Sequence, residues 1–191
     1  LLTNPQVPLE SVVVHTALPN LDAVPADRQL SNTEKALINE VGRESRLRNK
    51  LRDYAKNVFT KKYDVVLLDC PPSLDLITVN ALVASTDIIV PVQPKLYSLK
   101  GMVRLGETIN TLYSQLELRI PLLGILICLY DRSASLDKVV YDLLKEKILR
   151  EYGDFVFHNV IARSVLISEA EADGQPVVMA DPECAAARTY E

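Results

Sequence analysis

The sequence is poor in glycine, in paired cysteines and in long apolar runs. Its 191 residues include six glycines, and none lies in the G-x-x-x-x-G-K-[ST] arrangement that grips phosphate groups. The three cysteines form no C-x-x-C pair, which argues against a disulfide framework or a zinc site and fits a reducing compartment. No apolar run approaches the roughly 18 residues that a membrane-spanning helix needs. With 48% hydrophobic residues and a net charge of −4, the composition is that of a globular domain without overall attraction for nucleic acid.

The most informative segment present is Tyr63–Ser73, which reads YDVVLLDCPPS. Its apolar run Val65–Leu68 is typical of a short strand buried on both faces. The run ends on Asp69, and Pro71 and Pro72 then stop it. Nucleotide-hydrolysing α/β proteins hold Mg²⁺ beside phosphates with an acid at the carboxyl end of such a strand. The alternative is a core strand whose aspartate only starts a turn.

Strand-like and helix-like segments alternate along the chain. Short strands are predicted at residues 11–14 and 21–24 around a turn at Pro19-Asn20, and Ser31–Glu34 reads as a capping box that opens a helix. Gly42 is expected to interrupt that helix before a second one over residues 47–58. The later predicted strands are 65–68, 87–92, 122–130 and 156–161, and the later helices are 74–84, 96–116, 136–152 and one from residue 185. This βαβ spacing predicts an α/β fold, a mostly parallel sheet with helices on both faces, in one domain over residues 1–191.

A series of short motifs adds a family resemblance. The motifs are Asp69–Leu74, Thr78–Leu82, Ala84–Gln93, Tyr97–Gly101, Leu129–Arg132, Ile161–Val165, Ser168–Ala170, Gly174–Val177 and Asp181–Pro182. Their order and spacing, from about Leu18 to Glu191, closely resemble the ParA/Soj family of partition ATPases, which are P-loop NTPases related to MinD.

Two features of that family are not in the chain: its lysine-rich glycine loop and its D-x-D-P-Q segment, which carries the catalytic carboxylate. We therefore expect an N-terminally truncated piece of a longer ATPase, with the family's catalytic residues in the missing part and no ATP hydrolysis by this piece alone. Without the missing strands, Val65–Leu68 is expected to present an unpaired edge.

The resemblance implies a function and a set of site residues. The parent protein would bind ATP and Mg²⁺, form an ATP-dependent homodimer and bind double-stranded DNA without sequence preference. It would respond to a ParB-like partner in chromosome or plasmid segregation, in the cytoplasm on the nucleoid and without membrane attachment. The implied residues are Asp69 for Mg²⁺ through water, Pro71 and Pro72 for the switch loop, Arg163, Asp181 and Pro182 for the nucleotide, and Arg132 for DNA.

Several alternatives stay open on the sequence. The protein is alternatively a MinD-like membrane-associated ATPase, or a non-enzymatic scaffold or partner-binding module. Arg163 is alternatively a helix cap or a partner of Glu169. Leu166 stands where close family members have a second arginine, which is expected to lower the salt slope of DNA binding by about one unit. The basic stretch from Arg43 to Lys62 favours a solvated helix face over a DNA contact.

Overall fold

The computed structural model describes residues 1–27, 30–57, 63–116 and 121–190. Its elements are β1 (Val14–His15), β2 (Asp22–Ala23), α1 (Leu30–Leu37), α2 (Arg46–Asn57), α3 (Leu76–Ala84), β3 (Ile88–Val92), α4 (Leu96–Leu116), β4 (Leu122–Tyr130), α5 (Ser135–Tyr152), β5 (Val156–Ala162), α6 (Val165–Ala172) and α7 (Val177–Ala180). Short 3₁₀ helices are formed by Leu9–Val12, Arg43–Ser45 and Ala187–Tyr190. Among the described helices, none has the length and apolarity needed to cross a membrane.

The chain forms two compact units. The first unit contains Leu1–Thr86 and Leu112–Ile120, and the second contains Asp87–Thr111 and Pro121–Glu191. Because α4 runs from Leu96 to Leu116, its first sixteen residues belong to the second unit and its last five to the first. The organisation as one domain stays a prediction, and the two units are described separately below.

A parallel sheet in the order β3-β4-β5 organises the second unit. On α5, the side chains of Val140, Leu144 and Ile148 recur at four-residue spacing, so they share one face of the helix. They form one buried cluster with residues of all three strands, among them Ile125 and Ile127 of β4. Each such side chain contributes about 1.5–3 kcal/mol when fully buried. The predicted α/β class with a parallel sheet is confirmed.

Gly124 marks a close approach between β4 and β5. A Cβ atom added to Gly124 would lie 2.5 Å from Cε2 and 2.7 Å from Cζ of the Phe157 ring. Real Cβ atoms do not come this close to a neighbour, so the ring occupies the space that only glycine leaves free. Packing against Phe157 therefore explains why glycine, which is otherwise unfavourable inside a strand, stands at position 124.

In the first unit, the buried side-chain amide of Asn80 connects α3 to α2. Asn80 of α3 has no exposed surface; its Nδ2 donates to the carbonyl oxygens of Arg43 at 2.8 Å and Leu76 at 2.9 Å, and its Oδ1 accepts from the Leu47 N–H at 3.1 Å. The N–H groups in the first turn of a helix lack intrahelical partners, so Asn80 satisfies one of them for α2. Gly42, with φ of 67°, precedes the 3₁₀ helix Arg43–Ser45, but it does not interrupt the first helix as predicted, because α1 already ends at Leu37.

Several predicted boundaries shift in the first unit. The strand predicted at residues 11–14 is largely wrong, because Leu9–Val12 forms a 3₁₀ helix and β1 begins at Val14. Strands β1 and β2 pair antiparallel around the predicted turn, where Asn20 adopts a φ of 64°. The capping box is also wrong as drawn: α1 begins at Leu30, before Ser31, and Glu34 accepts the N–H of Leu76 at 3.1 Å instead of closing back on its own helix.

The helices and strands predicted after residue 74 agree better. The bounds of α4 and β4 match the prediction, and α5 begins one residue earlier, at Ser135. Gly153 ends α5 with φ of 93°, as expected for a glycine beyond a helix end. Val165–Ala172 forms the two-turn helix α6 behind the N-cap Ser164, a helix that is not among those predicted from the sequence. The predicted terminal helix is a short 3₁₀ helix at Ala187–Tyr190.

Candidate nucleotide and phosphate-binding sites

The segment that leads to Asp69 forms no backbone pairing with another strand in the described part of the chain. Val65 and Leu67 are 70% and 86% exposed, and residues 65–68 form no strand in the structure, so the prediction of a buried strand is wrong. The physical reason is that a strand needs backbone partners, and no described segment supplies them beside residues 65–68. The segment is therefore unpaired, as expected, but because it forms no strand it presents no sheet edge. Asp69 itself is exposed at the end of this segment.

A network of short hydrogen bonds ties the loop after Asp69 to the start of α3. The Ser73 hydroxyl donates to Asp75 Oδ2 at 2.7 Å, and the Thr78 hydroxyl donates to the Ser73 carbonyl at 2.7 Å. Asp75 Oδ1 accepts the N–H groups of Ile77 and Thr78, each at 3.1 Å, which makes Asp75 the N-cap of α3. The residues that follow the double proline are thereby fixed to a helix.

Asp75 is a residue that the sequence reasoning missed, although its position directly before an apolar helix was a usable signal. The hydrogen bond from the Ser73 hydroxyl is the main cause that holds the pKa of Asp75 below its ordinary value, with the N–H groups of Thr78 and Ile77 acting in the same direction. Asp75 is thus an anion engaged in structure. This leaves Asp69 as the acid of the loop for which the structure shows no hydrogen bond or ion pair among the described residues.

The pKa of the Cys70 thiol indicates the electrostatic potential in the same loop. Partial removal from solvent, and then the negative charges of Asp69 and Asp75, raise the pKa of the Cys70 thiol. The loop therefore has a negative local potential, which favours a cation. The described residues contain no cluster of three or more metal-ligating side chains. Mg²⁺ fits this setting, because it keeps several waters and binds through one or two carboxylates together with substrate phosphates.

In the second unit, an ion pair between the exposed Lys95 and the buried Asp137 holds the loop that follows β4. Lys95 Nζ lies 2.8 Å from Asp137 Oδ1, and Asp137, with a side chain only 3% exposed, also accepts the Asp131 N–H at 3.2 Å. Asp131 Oδ1 accepts both the N–H and the hydroxyl of Ser133, at 2.9 and 2.6 Å. Lys95 is the main cause of the lowered pKa of Asp137, and the Ser133 hydroxyl is the main cause for Asp131. We call the contacts among Lys95, Asp131, Ser133 and Asp137 the clasp. Because Lys95 follows β3 and Asp131 follows β4, the clasp joins two loops at the carboxyl edge of the sheet, where α/β proteins bind ligands.

The two arginines predicted from the family pattern lie at this same edge. Arg132 is exposed within the clasped loop, and Arg163 is exposed directly after β5. The Arg163 N–H donates to the Tyr130 carbonyl at 3.0 Å, and the Arg163 charge contributes to lowering the pKa of Asp131. Arg163 forms no ion pair with Glu169 in the part of the chain that is described, and Ser164 caps α6, so neither alternative role of Arg163 is observed.

The backbone at the end of β4 is strained. Leu129 has a φ of 55°, in the left-handed region that leucine rarely adopts, and the pairing of β4 with β5 shifts register between Cys128 and Tyr130. Such a conformation costs on the order of 1–3 kcal/mol and is found at functional sites where the surrounding structure enforces it. The bulge and the clasp together set the direction in which the loop of Arg132 leaves the sheet.

Asp181 and Pro182 lie in an exposed loop after α7. The Asp181 carbonyl accepts the Cys184 N–H at 3.2 Å, and Ala170, Val177 and Ala186 form a small buried cluster beneath this region. The structure thus places Arg132, Arg163, Asp181 and Pro182 in the second unit, and Asp69, Pro71 and Pro72 in the first. It brings the two arginine-bearing loops together through Tyr130 and Asp131.

Two curated relatives resemble the chain over nearly all of its length. The chromosome partitioning protein ParA of Caulobacter vibrioides is 37% identical over 185 residues, which are 97% of this chain and 67% of that protein. The sporulation initiation inhibitor protein Soj of Bacillus subtilis is 34% identical over 179 residues, 94% of this chain and 67% of that protein. The chain thus spans about two thirds of the length of both relatives.

Solved structures with the same fold include nucleotide complexes. Cobyrinic acid a,c-diamide synthase from Mycobacterium smegmatis, with a bound ATP analogue and magnesium, matches with a TM-score of 0.72 and 29% identity over 86% of this chain and 61% of that one. The septum site-determining protein MinD from Pyrococcus horikoshii, complexed with Mg-ADP, matches with a TM-score of 0.71 and 20% identity over 99% of this chain and 68% of that one. The second likeness concerns the fold alone.

A family profile described as an AAA domain matches residues 1–122. That span is more than half of the chain, and it agrees with the two partitioning relatives and with the nucleotide-binding fold. The resemblance drawn from the motif order is confirmed. The chain belongs to the ParA/Soj family of chromosome-partitioning proteins.

Proposed function

We propose that the intact protein is an ATP- and Mg²⁺-dependent partition protein of ParA type that binds duplex DNA without sequence preference. The observation that carries this proposal is the exposed Asp69 carboxylate, which has no hydrogen-bond or ion-pair partner among the described residues and precedes a loop fixed to α3. Mg²⁺, when bound, would neutralise charge on the phosphates of ATP. Asp69 would hold the ion, directly or through water.

The loop between Asp69 and α3 suits a switch element. Pro71 and Pro72 restrict the backbone, and the hydrogen bonds of Ser73 and Asp75 fix its far end to the first turn of α3. We therefore expect a change beside Asp69 to be transmitted to α3. Arg163, Asp181 and Pro182 are proposed to lie against the nucleotide, as the family resemblance implies.

The carboxyl edge of the sheet in the second unit supports the DNA-binding part of the proposal. Arg132 is exposed on a loop whose backbone is held by Asp137 and Asp131, so its guanidinium is presented from a rigid base. Arginine suits phosphate because its planar fork donates two parallel hydrogen bonds. Leu166, which is 43% exposed, adds no charge at the position of the family's second arginine.

The remaining partners follow from the relatives and extend to the whole protein. The Caulobacter relative is named as a chromosome partitioning protein, which supports a role in chromosome partitioning, and we place this role on the nucleoid in the cytoplasm. An ATP-dependent homodimer and a ParB-like partner complete the proposed cycle. The plasmid, as distinct from the chromosome, is the alternative cargo.

The proposal is tested on the intact gene product with Asp69→Ala. Binding of a fluorescent ATP analogue should lose its dependence on Mg²⁺, with a drop in affinity of about tenfold or more, equal to ~1.4 kcal/mol. Asp64→Ala is the matched control, since Asp64 is an exposed acid of the same extended segment. Equal nucleotide binding by the two variants would refute the role of Asp69, and absence of ATP binding by the unmodified protein would refute the proposed ATPase.

A further inference from the structure

The helix α2 is strongly basic although the chain as a whole is acidic. Between residues 46 and 57, five basic side chains accompany one acidic one, Asp53, whereas the net charge of the chain is −4. We propose that the outward side of α2 is a second contact for the phosphate backbone of duplex DNA, an inference that rests on the proposed DNA-binding function.

The apolar side of α2 is already used inside the first unit. Tyr54 is buried, Leu47 and Leu51 are partly buried, and the Leu47 N–H is bonded to Asn80 of α3. At 3.6 residues per turn, Arg52 and Lys56 fall on the opposite side of the helix, and Arg48 lies at its border. The side that faces solvent is therefore polar and cationic.

Three of the five basic residues have a structural role or a partner. Arg46 NH2 lies 3.1 Å from Glu40 Oε2, and Lys56 Nζ lies 3.8 Å from Asp53 Oδ1. Lys50 donates to the carbonyl of Pro5 at 2.7 Å and also to that of Val7, so it fastens the N-terminal segment to α2.

Arg48 and Arg52 are different. Both are exposed, and neither has an ion pair or a side-chain hydrogen bond within the described ranges of the chain. They are one helical turn apart, which corresponds to about 6 Å along the helix axis. Two guanidinium groups are thus held on a rigid element, side by side, with their hydrogen-bonding capacity unused by the protein.

The chemistry of this pair favours a nucleic-acid backbone over a membrane. The outward residues beside the arginines are Asn49 and Asp53, so no apolar side chain is available to enter a bilayer, and the apolar side of the helix is occupied by α3. A duplex repeats its phosphates about every 3.4 Å along each strand, so closely spaced arginines meet phosphates at any sequence. With Leu166 in place of a basic residue, Arg132 is the one residue at that edge that the proposed function assigns to DNA.

The test compares four variants of the intact protein with the unmodified protein on a random-sequence duplex, with ATP and Mg²⁺, across a salt gradient. Each phosphate contact contributes about −0.9 to the slope of log K against log salt. Arg48→Ala with Arg52→Ala should therefore reduce the slope by about 1.8 and the affinity at about 0.1 M salt by roughly 60-fold. Lys35→Ala with Lys145→Ala is the charge-matched control, since both lysines are exposed and lack ion pairs among the described residues. The control should leave the slope unchanged.

The outcomes separate this inference from the proposed function. If Arg132→Ala lowers the slope by about 0.9 while the α2 double variant behaves like the control, the inference fails and DNA binding stands. If the unmodified protein shows no salt-sensitive retention on the duplex, both fail. If the α2 variant loses binding only to vesicles of phosphatidylglycerol, the inference is overturned in favour of a lipid surface. Arg48→Lys with Arg52→Lys should keep most of the slope of log K against log salt, because both charges remain. This lysine variant replaces the alanine variant in the test if the alanine variant has a lower Tm than the unmodified protein.

Discussion

Replacing Asn80 by alanine is expected to destabilise the first unit by about 3 kcal/mol. The variant loses three hydrogen bonds, but the Leu76 carbonyl keeps its helical partner, the N–H of residue 80. Two groups are left without a partner: the Leu47 N–H and the Arg43 carbonyl, both partly buried. An unsatisfied buried polar group costs about 1–3 kcal/mol, and the lower half of that range applies where water has partial access, so the two together cost roughly 2–4 kcal/mol.

The assay is urea unfolding of the intact protein, followed by circular dichroism, with a thermal melt as a second measurement. For a chain of this size, about 3 kcal/mol corresponds to a fall in Tm of roughly 6–12 °C. Asn110→Ala is the control, because Asn110 is an exposed asparagine inside α4 and the same helix-propensity gain applies to it. A difference of less than about 1 kcal/mol between the two variants would refute the reasoning, since it would mean that water replaces both lost bonds at little cost.

Two further predictions concern the loop before α3 and the sheet. Asp75→Ala should cost about 1 kcal/mol through loss of the N-cap. Because the folded-state pKa of Asp75 lies below its ordinary 3.8, this stabilisation is present above that pH and is lost as the pH falls through the lower folded-state value, so the two proteins should converge in urea unfolding as the acidity increases, and a constant gap would contradict the prediction. Gly124→Ala should cost about 1–3 kcal/mol because the new methyl group overlaps the Phe157 ring. Adding Phe157→Leu should recover much of that cost, and a double-mutant cycle with a coupling near zero would show that the overlap is not the cause.

The helices and strands of the second unit were the most predictable part of the fold. In α4, β4 and α5 the apolar spacing, Pro121 before β4 and Gly153 after α5 all indicate the same boundaries, and local and tertiary preferences agree. The prediction failed at Val65–Leu68, where local composition favours a strand but pairing depends on other segments of the chain. Local sequence does not show whether a backbone partner is present, so composition alone does not decide whether such a segment forms a strand.

The sequence could name candidate site residues but not the groups that hold them in place. Asp69 and Arg132 were named from motif order and stay predictions, and both are exposed, as the predicted chemistry requires. The groups that hold their loops were not found, because Lys95 and Asp137 are 42 residues apart and neither belongs to a recognisable pattern. Long-range ion pairs of this kind depend on how parallel strands align, which a single sequence does not encode in any short motif.

The left-handed backbone at Leu129 has a consequence for protein engineering. Glycine adopts this conformation without steric cost, so a library selected only for heat resistance would tend to replace Leu129 by glycine or asparagine. Such winners would gain stability while loosening the support of the adjacent arginine loop. Selection for heat resistance that ignores ligand binding would therefore favour variants that are more stable but bind their ligand less well.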